Sequence, residues 1–147
     1  MRRLFLALAC AALAACPALA DTHYVKMLNG NASGAMVFEP AYLEIAPGDT
    51  VKFLATQIGH NAATVDGFLP AGAKPFKGRI DQEIEVTLTK PGFYGVKCTP
   101  HFDMGMVMLI QVGKEAPSAV IAPQNMPAGA AKRFGEIVDR AQKERTQ

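Results

Sequence analysis

The chain has no tryptophan, only three cysteines among 147 residues and a charged fraction of 19%. No block of lysine or arginine forms a nucleic-acid arm, so nucleic acid is not expected as a partner. With half its residues apolar the chain is not disordered either. Its length suits one globular core and is short for two.

The one long apolar run lies at the start. Arg2 and Arg3 precede the stretch Leu4 to Cys16, and Ala18-Leu19-Ala20 offers the small residues that an export peptidase reads. A signal peptide over residues 1–20 is therefore expected, with a mature chain 21–147 forming a single domain. The uncharged stretch is about seventeen residues, at the short limit for a bilayer span, and no comparable run follows. Removing it takes two of the 15 basic residues and balances the 13 acidic ones, so the basic excess belongs to the leader. Two features of the leader allow other export routes. Leu13-Ala14-Ala15-Cys16 has the pattern acylated in bacterial lipoproteins, and Arg2-Arg3-Leu4-Phe5-Leu6 is similar to a twin-arginine start. Each route leads out of the cytoplasm, most simply to a periplasm.

Cys10 and Cys16 leave with that leader, so Cys98 has no partner for an intrachain disulfide. A lone exported thiol serves as a buried passenger, a nucleophile or a metal thiolate, and its neighbours decide which.

Short alternating runs separated by turn residues point to a β-sandwich. Strands are expected at His23 to Leu28, closed by Asn29-Gly30-Asn31, and then at Ala35 to Glu39 and Tyr42 to Ile45. Further strands are expected at Thr50 to Ala55, Glu83 to Thr89, Phe93 to Cys98 and Met106 to Val112. Residues 61–77 carry Gly67, Pro70, Gly72 and Pro75 and read as a long connection with one helical turn. After Gly113 the character changes. Pro117, Pro123 and Pro127 punctuate a short helical piece, and Ala130, Phe134, Ile137, Val138 and Ala141 recur at helical spacing. Residues 21–113 thus form the sandwich and 114–147 a helical extension.

The chemistry concentrates in Cys98-Thr99-Pro100-His101-Phe102-Asp103-Met104-Gly105-Met106, with His60 arriving from a separate strand end. A thiolate, two imidazoles and a weak thioether are what a blue-copper electron-transfer site uses, whereas zinc prefers a fourth strong ligand. Pro100 stiffens the turn between Cys98 and His101. Each residue also has a plainer reading. Cys98 alone would be a small buried hydrophobe, Met108 a core residue, and His23, with no cysteine or methionine near it, a structural histidine.

Cys98-Thr99-Pro100-His101 with Met106, Gly59-His60-Asn61, Gly34-Ala35-Met36-Val37-Phe38-Glu39-Pro40, Pro47-Gly48-Asp49-Thr50 and the helical tail together resemble the pseudoazurins, a branch of the cupredoxin family. The likeness spans residues 22–147. The spacing of Cys, His three later and Met eight after the Cys is shared with plastocyanins, while the Met36 segment and the helical tail are specific to the branch.

The resemblance implies an all-β, Greek-key β-sandwich of about eight strands with one or two C-terminal α-helices. It implies one type 1 copper ion on His60, Cys98, His101 and axial Met106, and one-electron transport without turnover of a substrate. Met106 is selected over its rival Met104 by the family pattern and by strand alternation. Asn61 is implied to tie the two ligand loops together, and Met36 to pack beside the exposed histidine ring. Pro100, Met36 and Met104 would form an apolar patch around His101. Lys74, Lys77, Arg79 and Lys97 would belong to a lysine ring that meets acidic partners. Gly30 and Ile58 stand where well-known members carry lysine, which weakens steering. Nitrite reductase and c-type cytochromes are the partners the resemblance implies. From the residues alone, a copper-carrying chaperone using Met104, Met106, Met108 and His101 remains an alternative, as does a thiol enzyme pairing Cys98 with a histidine.

Overall fold

The computed structural model describes residues 19–147, so the expected leader and its Cys16 motif lie almost wholly outside the described residues. Eight strands form in chain order: β1 (Thr22–Asn31), β2 (Gly34–Glu39), β3 (Tyr42–Ile45), β4 (Thr50–Leu54), β5 (Ala63–Thr64), β6 (Ile84–Thr87), β7 (Gly92–Lys97) and β8 (Val107–Val112). Short 3-10 turns follow at Thr99–His101 and Pro117–Ala119, and α1 (Ala128–Arg145) closes the chain. One four-stranded sheet has the order β2-β1-β4-β6, the other β3-β8-β7-β5. Each is mixed, because β1 runs parallel to β4 and β3 parallel to β8. Among the described residues, no helix is long and apolar enough to cross a membrane.

The alternating pattern sorts the first sheet cleanly. Val25 and Met27 of β1 and Val51 and Phe53 of β4 are buried, while Tyr24 and Lys26 face out. They meet Tyr94, Val96, Met108, Ile110 and Val112 of the second sheet in the core that also holds Cys98 and Met106. β8 departs from simple alternation because all six of its residues are buried. Its other face, with Val107 and Leu109, is covered by Ala130, Phe134 and Ile137 of α1. The buried polar exception, Gln111, accepts a 2.6 Å hydrogen bond from the Tyr42 hydroxyl and donates to the Gly113 carbonyl at 2.9 Å. No buried side-chain nitrogen or oxygen among the described residues lacks a partner.

Three expectations need correction. β1 does not end at Asn29-Gly30-Asn31 but pairs through Asn31 with Gly34, so the turn is Ala32-Ser33, held by the Asn31 side chain accepting from Ser33 N–H at 2.8 Å. The long connection contains no helical turn. Instead it contributes β5, whose two residues pair with Val96 and Lys97 and are too short to leave a periodic trace. Finally, β8 begins at Val107, so Met106 sits at the end of the preceding turn.

Asp49 pins the sandwich edge where β1, β3 and β4 meet. Its carboxylate accepts from His23 Nε2 at 2.9 Å and from the backbone N–H groups of Asp21 and Ala46, each at 3.0 Å. The His23 hydrogen bond, followed by the Asp21 N–H, holds its pKa below the ordinary value. A carboxylate with a depressed folded pKa stabilises above its unfolded pKa of about 3.9 and loses that stabilisation as pH falls through the folded value. Asp49→Asn should therefore lower stability at neutral pH and flatten the acid limb, as read by urea denaturation across a pH series. An acid limb as steep as the parent's would contradict this role.

Candidate metal centre

Two chain segments converge at one end of the sandwich. After β4, Gly59 turns the chain with φ of 92° and delivers His60 into the core. After β7, Cys98 leads into the 3-10 turn Thr99–His101, with Pro100 in its first turn. The return is stitched: His101 N–H donates to Cys98 O at 3.2 Å, Met106 N–H to His101 O at 3.1 Å and Cys98 N–H to Met106 O at 3.0 Å. The Cys98–Met106 loop is thereby closed at both ends by its own backbone.

His60 Nδ1, Cys98 Sγ and a ring nitrogen of His101 all lie within 4.8 Å of one another. Cys98 Sγ is 3.7 Å from His60 Nδ1 and 3.5 Å from His101 Nδ1. Metal bonds of about 2.0 Å to nitrogen and about 2.3 Å to sulfur, opened to about 120°, put the two donors about 3.7 Å apart. The donors are thus spaced to share an ion. Cys98, Met106 and His60 are fully buried, while His101 is only half-buried. Met104 turns the other way and is 56% exposed.

The protonation states follow from the surroundings. His60 Nε2 donates to Asn29 Oδ1 at 2.9 Å, which leaves the Nδ1 lone pair facing the sulfur. Burial pushes the His60 pKa down, and the neighbouring His101 adds to that. Burial also pushes the Cys98 thiol up, partly offset by backbone N–H groups of Asn61 and His101 directed at the sulfur.

Asn61 joins the two segments. Its Oδ1 accepts from Thr99 N–H at 2.7 Å, while its Nδ2 donates to Gly78 O at 2.9 Å and Thr99 Oγ1 at 3.1 Å. Two residues escaped the sequence reading. Asn29 looked like part of a turn and instead orients His60 from β1. Asp81, at φ of 61°, accepts from Gly59 N–H at 2.6 Å and donates its own N–H to His60 O at 2.8 Å. Neither lies in a motif, and no local pattern marks either.

The remaining expected residues differ in their surroundings. Met36, at φ of 50°, packs against the core that contains Cys98 and Met106, and Pro100 is exposed. Lys74, Lys77 and Arg79 are exposed. Lys97 is not a free cation. Its side chain is 19% exposed, 3.6 Å from Asp66 and 5.0 Å above the Phe102 ring. His23, paired with Asp49 at the start of β4, joins no cluster of metal-ligating groups among the described residues.

Residues 25–113 match the copper-binding proteins of the plastocyanin/azurin family. A pseudoazurin of Paracoccus pantotrophus is 49% identical over 133 residues, covering 88% of this chain and 91% of that one. This chain belongs to the pseudoazurins. The fold agrees: a solved pseudoazurin from Sinorhizobium superposes with a TM-score of 0.77 at 41% identity, covering 82% of this chain and 95% of that one. The pseudoazurin of Methylobacterium extorquens AM1 does so with a TM-score of 0.73 at 40% identity, covering 83% and 100%. The Greek-key sandwich is therefore that of a cupredoxin, the cofactor is copper, and the chain is an electron carrier. The soft thiolate and thioether beside two imidazoles fit copper on chemical grounds as well.

A raised thiol and a lowered histidine make a prediction for metal uptake. At about pH 8, Cu(I) binding should release about one proton per ion, from Cys98, with none from His60. An indicator titration in weak buffer measures this, and Cys98→Ala should abolish the release. No proton release from the parent protein would mean that the thiol is already ionised before metal arrives.

Proposed function

We propose that this chain is a periplasmic one-electron carrier whose copper is held by His60, Cys98, His101 and axial Met106. The observation that carries the reading is the convergence of two imidazole nitrogens and one thiol sulfur at 3.5–3.7 Å beside a buried methionine. Bound copper supplies the Cu(II)/Cu(I) couple, so one electron is accepted from a reduced donor and given to an oxidised acceptor. The protein's part is to hold the donors still. Asn61, Asn29 and Asp81 fix the two loops by hydrogen bonds, which limits rearrangement between the two charge states. Burial of Cys98 excludes water and competing thiol chemistry.

Half-buried His101 is the route by which electrons leave. Pro100 and Met104 surround it with exposed apolar surface, and Met36 packs into the core beside the site. Ile58, 83% exposed two residues before His60, adds apolar surface where a lysine would add charge. Lys74 and Lys77 are the free cations for meeting an acidic partner, and Lys97 is largely spent on Asp66 and Phe102. A nitrite reductase or a c-type cytochrome is the partner class we favour on family likeness. The chaperone alternative needs an accessible thioether site for Cu(I), but Met106 and Met108 are fully buried.

The axial assignment is tested by potential. Met106→Gln should retain copper and lower the reduction potential, because an oxygen donor favours Cu(II), while Met104→Leu should move it much less. Protein-film voltammetry distinguishes the two, and reversed effects would transfer the axial role to Met104. Docking is tested separately. Neutralising Lys74 and Lys77 together should slow association with an acidic partner about tenfold in dilute salt and little at high salt. Lys97→Gln should have a smaller effect. Stopped-flow rates across an ionic-strength series would contradict the lysine role if the double variant matched the parent in dilute salt.

A further inference from the structure

The C-terminal helix meets the metal loop through bare backbone. A Cβ added at Gly129, the second residue of α1, would lie 2.3 Å from the Asp103 carbonyl oxygen and 3.3 Å from Gly105 N. Conversely, a Cβ at Gly105 would lie 2.7 Å from the Gly129 carbonyl oxygen and 3.4 Å from Arg133 Cβ. Gly105 also has φ of 86°, a conformation that favours glycine. The two glycines let helix and loop approach closer than any side chain allows.

We propose that Gly129 is a positioning residue for the copper loop, the first turn of α1 acting as a stop that sets where the segment from His101 to Met106 rests. The loop transmits such a contact because it has little slack. Met104 N–H donates to His101 O at 3.1 Å, Gly105 N–H to Phe102 O at 3.0 Å and Met106 N–H to His101 O. The helix cannot retreat, since Ala130, Phe134 and Ile137 are buried against Val107 and Leu109 of β8. Arg133, one turn on, reaches the hairpin between β1 and β2. Its Nη2 lies 3.2 Å from where a Gly34 Cβ would be, in the hairpin that carries Met36. One turn of helix therefore touches both the axial-ligand loop and the strand of Met36.

A second glycine in the same helix supplies the control. An added Cβ at Gly135 meets nothing within 4 Å. If these glycines mattered only for helix propensity, alanine would stabilise at both. Gly135→Ala should raise the unfolding midpoint and leave the copper site untouched. Gly129→Ala should lower the midpoint, shift the amide resonances of Asp103 to Met106 in the metal-free protein, and change the copper charge-transfer bands and reduction potential. The copper readout rests on the ligand assignment above, whereas the amide readout does not. Amide shifts without a spectral change would uphold the stop and count against the ligand set. Gly129→Ala with parent-like amide shifts in this loop would overturn the proposal. Should that variant fail to fold, Phe134→Leu, which loosens the helix seat, should speed native-state hydrogen exchange at Gly105 and Met106 about tenfold with β4 and β6 unchanged. Unchanged exchange in the loop would overturn it equally.

Discussion

The amide of Asn61 is the tie on which the metal centre depends. His60 and Cys98 lie 38 residues apart on different segments, and only a link between them makes their separation a property of the fold. Its side chain supplies that link with two hydrogen bonds, to Thr99 N–H and Thr99 Oγ1, and a third to Gly78 O anchors it to the intervening connection. Its backbone N–H faces the cysteine sulfur as well, so one residue positions the thiol and stabilises its ionised form. A buried amide that is fully satisfied holds its neighbours in one arrangement, and a half-satisfied one would cost stability.

Around that tie, burial and electrostatics pull in different directions. The core that seats Cys98 and Met106 raises the thiol and lowers the His60 pKa, so the metal-free centre holds its protons on sulfur and keeps His60 neutral. Burial thus keeps these two donors neutral before metal arrives, because an unpaired charge there would be costly. Asn29 completes the arrangement by accepting a hydrogen bond from the Nε2–H of His60, leaving the Nδ1 lone pair turned inward. At the surface the balance changes. His101 is the half-buried member, and the residues about it are more apolar than charged.

How much of this was legible follows from the range of each interaction. Cys98, His101 and Met106 sit within nine consecutive residues, so their soft donor types at that spacing pointed to a metal loop, with the family likeness choosing Met106 over Met104. His60 was legible as the remaining histidine with a suitable strand end and through the likeness of Gly59-His60-Asn61, and its partner Asn29 not at all, because a hydrogen bond across 31 residues leaves no periodicity. The strands with one face in the core were plain from alternation. β8 was placed but its double burial was not, since that comes from α1 lying over it. β5 escaped because two residues cannot show a period. Lys97 read as a free docking cation, but the turn at Asp66-Gly67 folds back and engages it with Asp66. Asp81 was invisible for a further reason: its left-handed backbone is set by the loop it closes, and an aspartate in a polar stretch carries no such mark.

Donors held in place before metal arrives would be a property of the protein alone. Crystal structures of the metal-free and copper-loaded forms under the same conditions test it most directly. The account predicts that His60 Nδ1, Cys98 Sγ, His101 Nδ1 and the Met106 sulfur occupy the same positions in both within about 0.5 Å, with the Asn61 hydrogen bonds intact. A metal-free structure in which the loop from Cys98 to Met106 is rearranged, or His60 is turned out of the core, would contradict it.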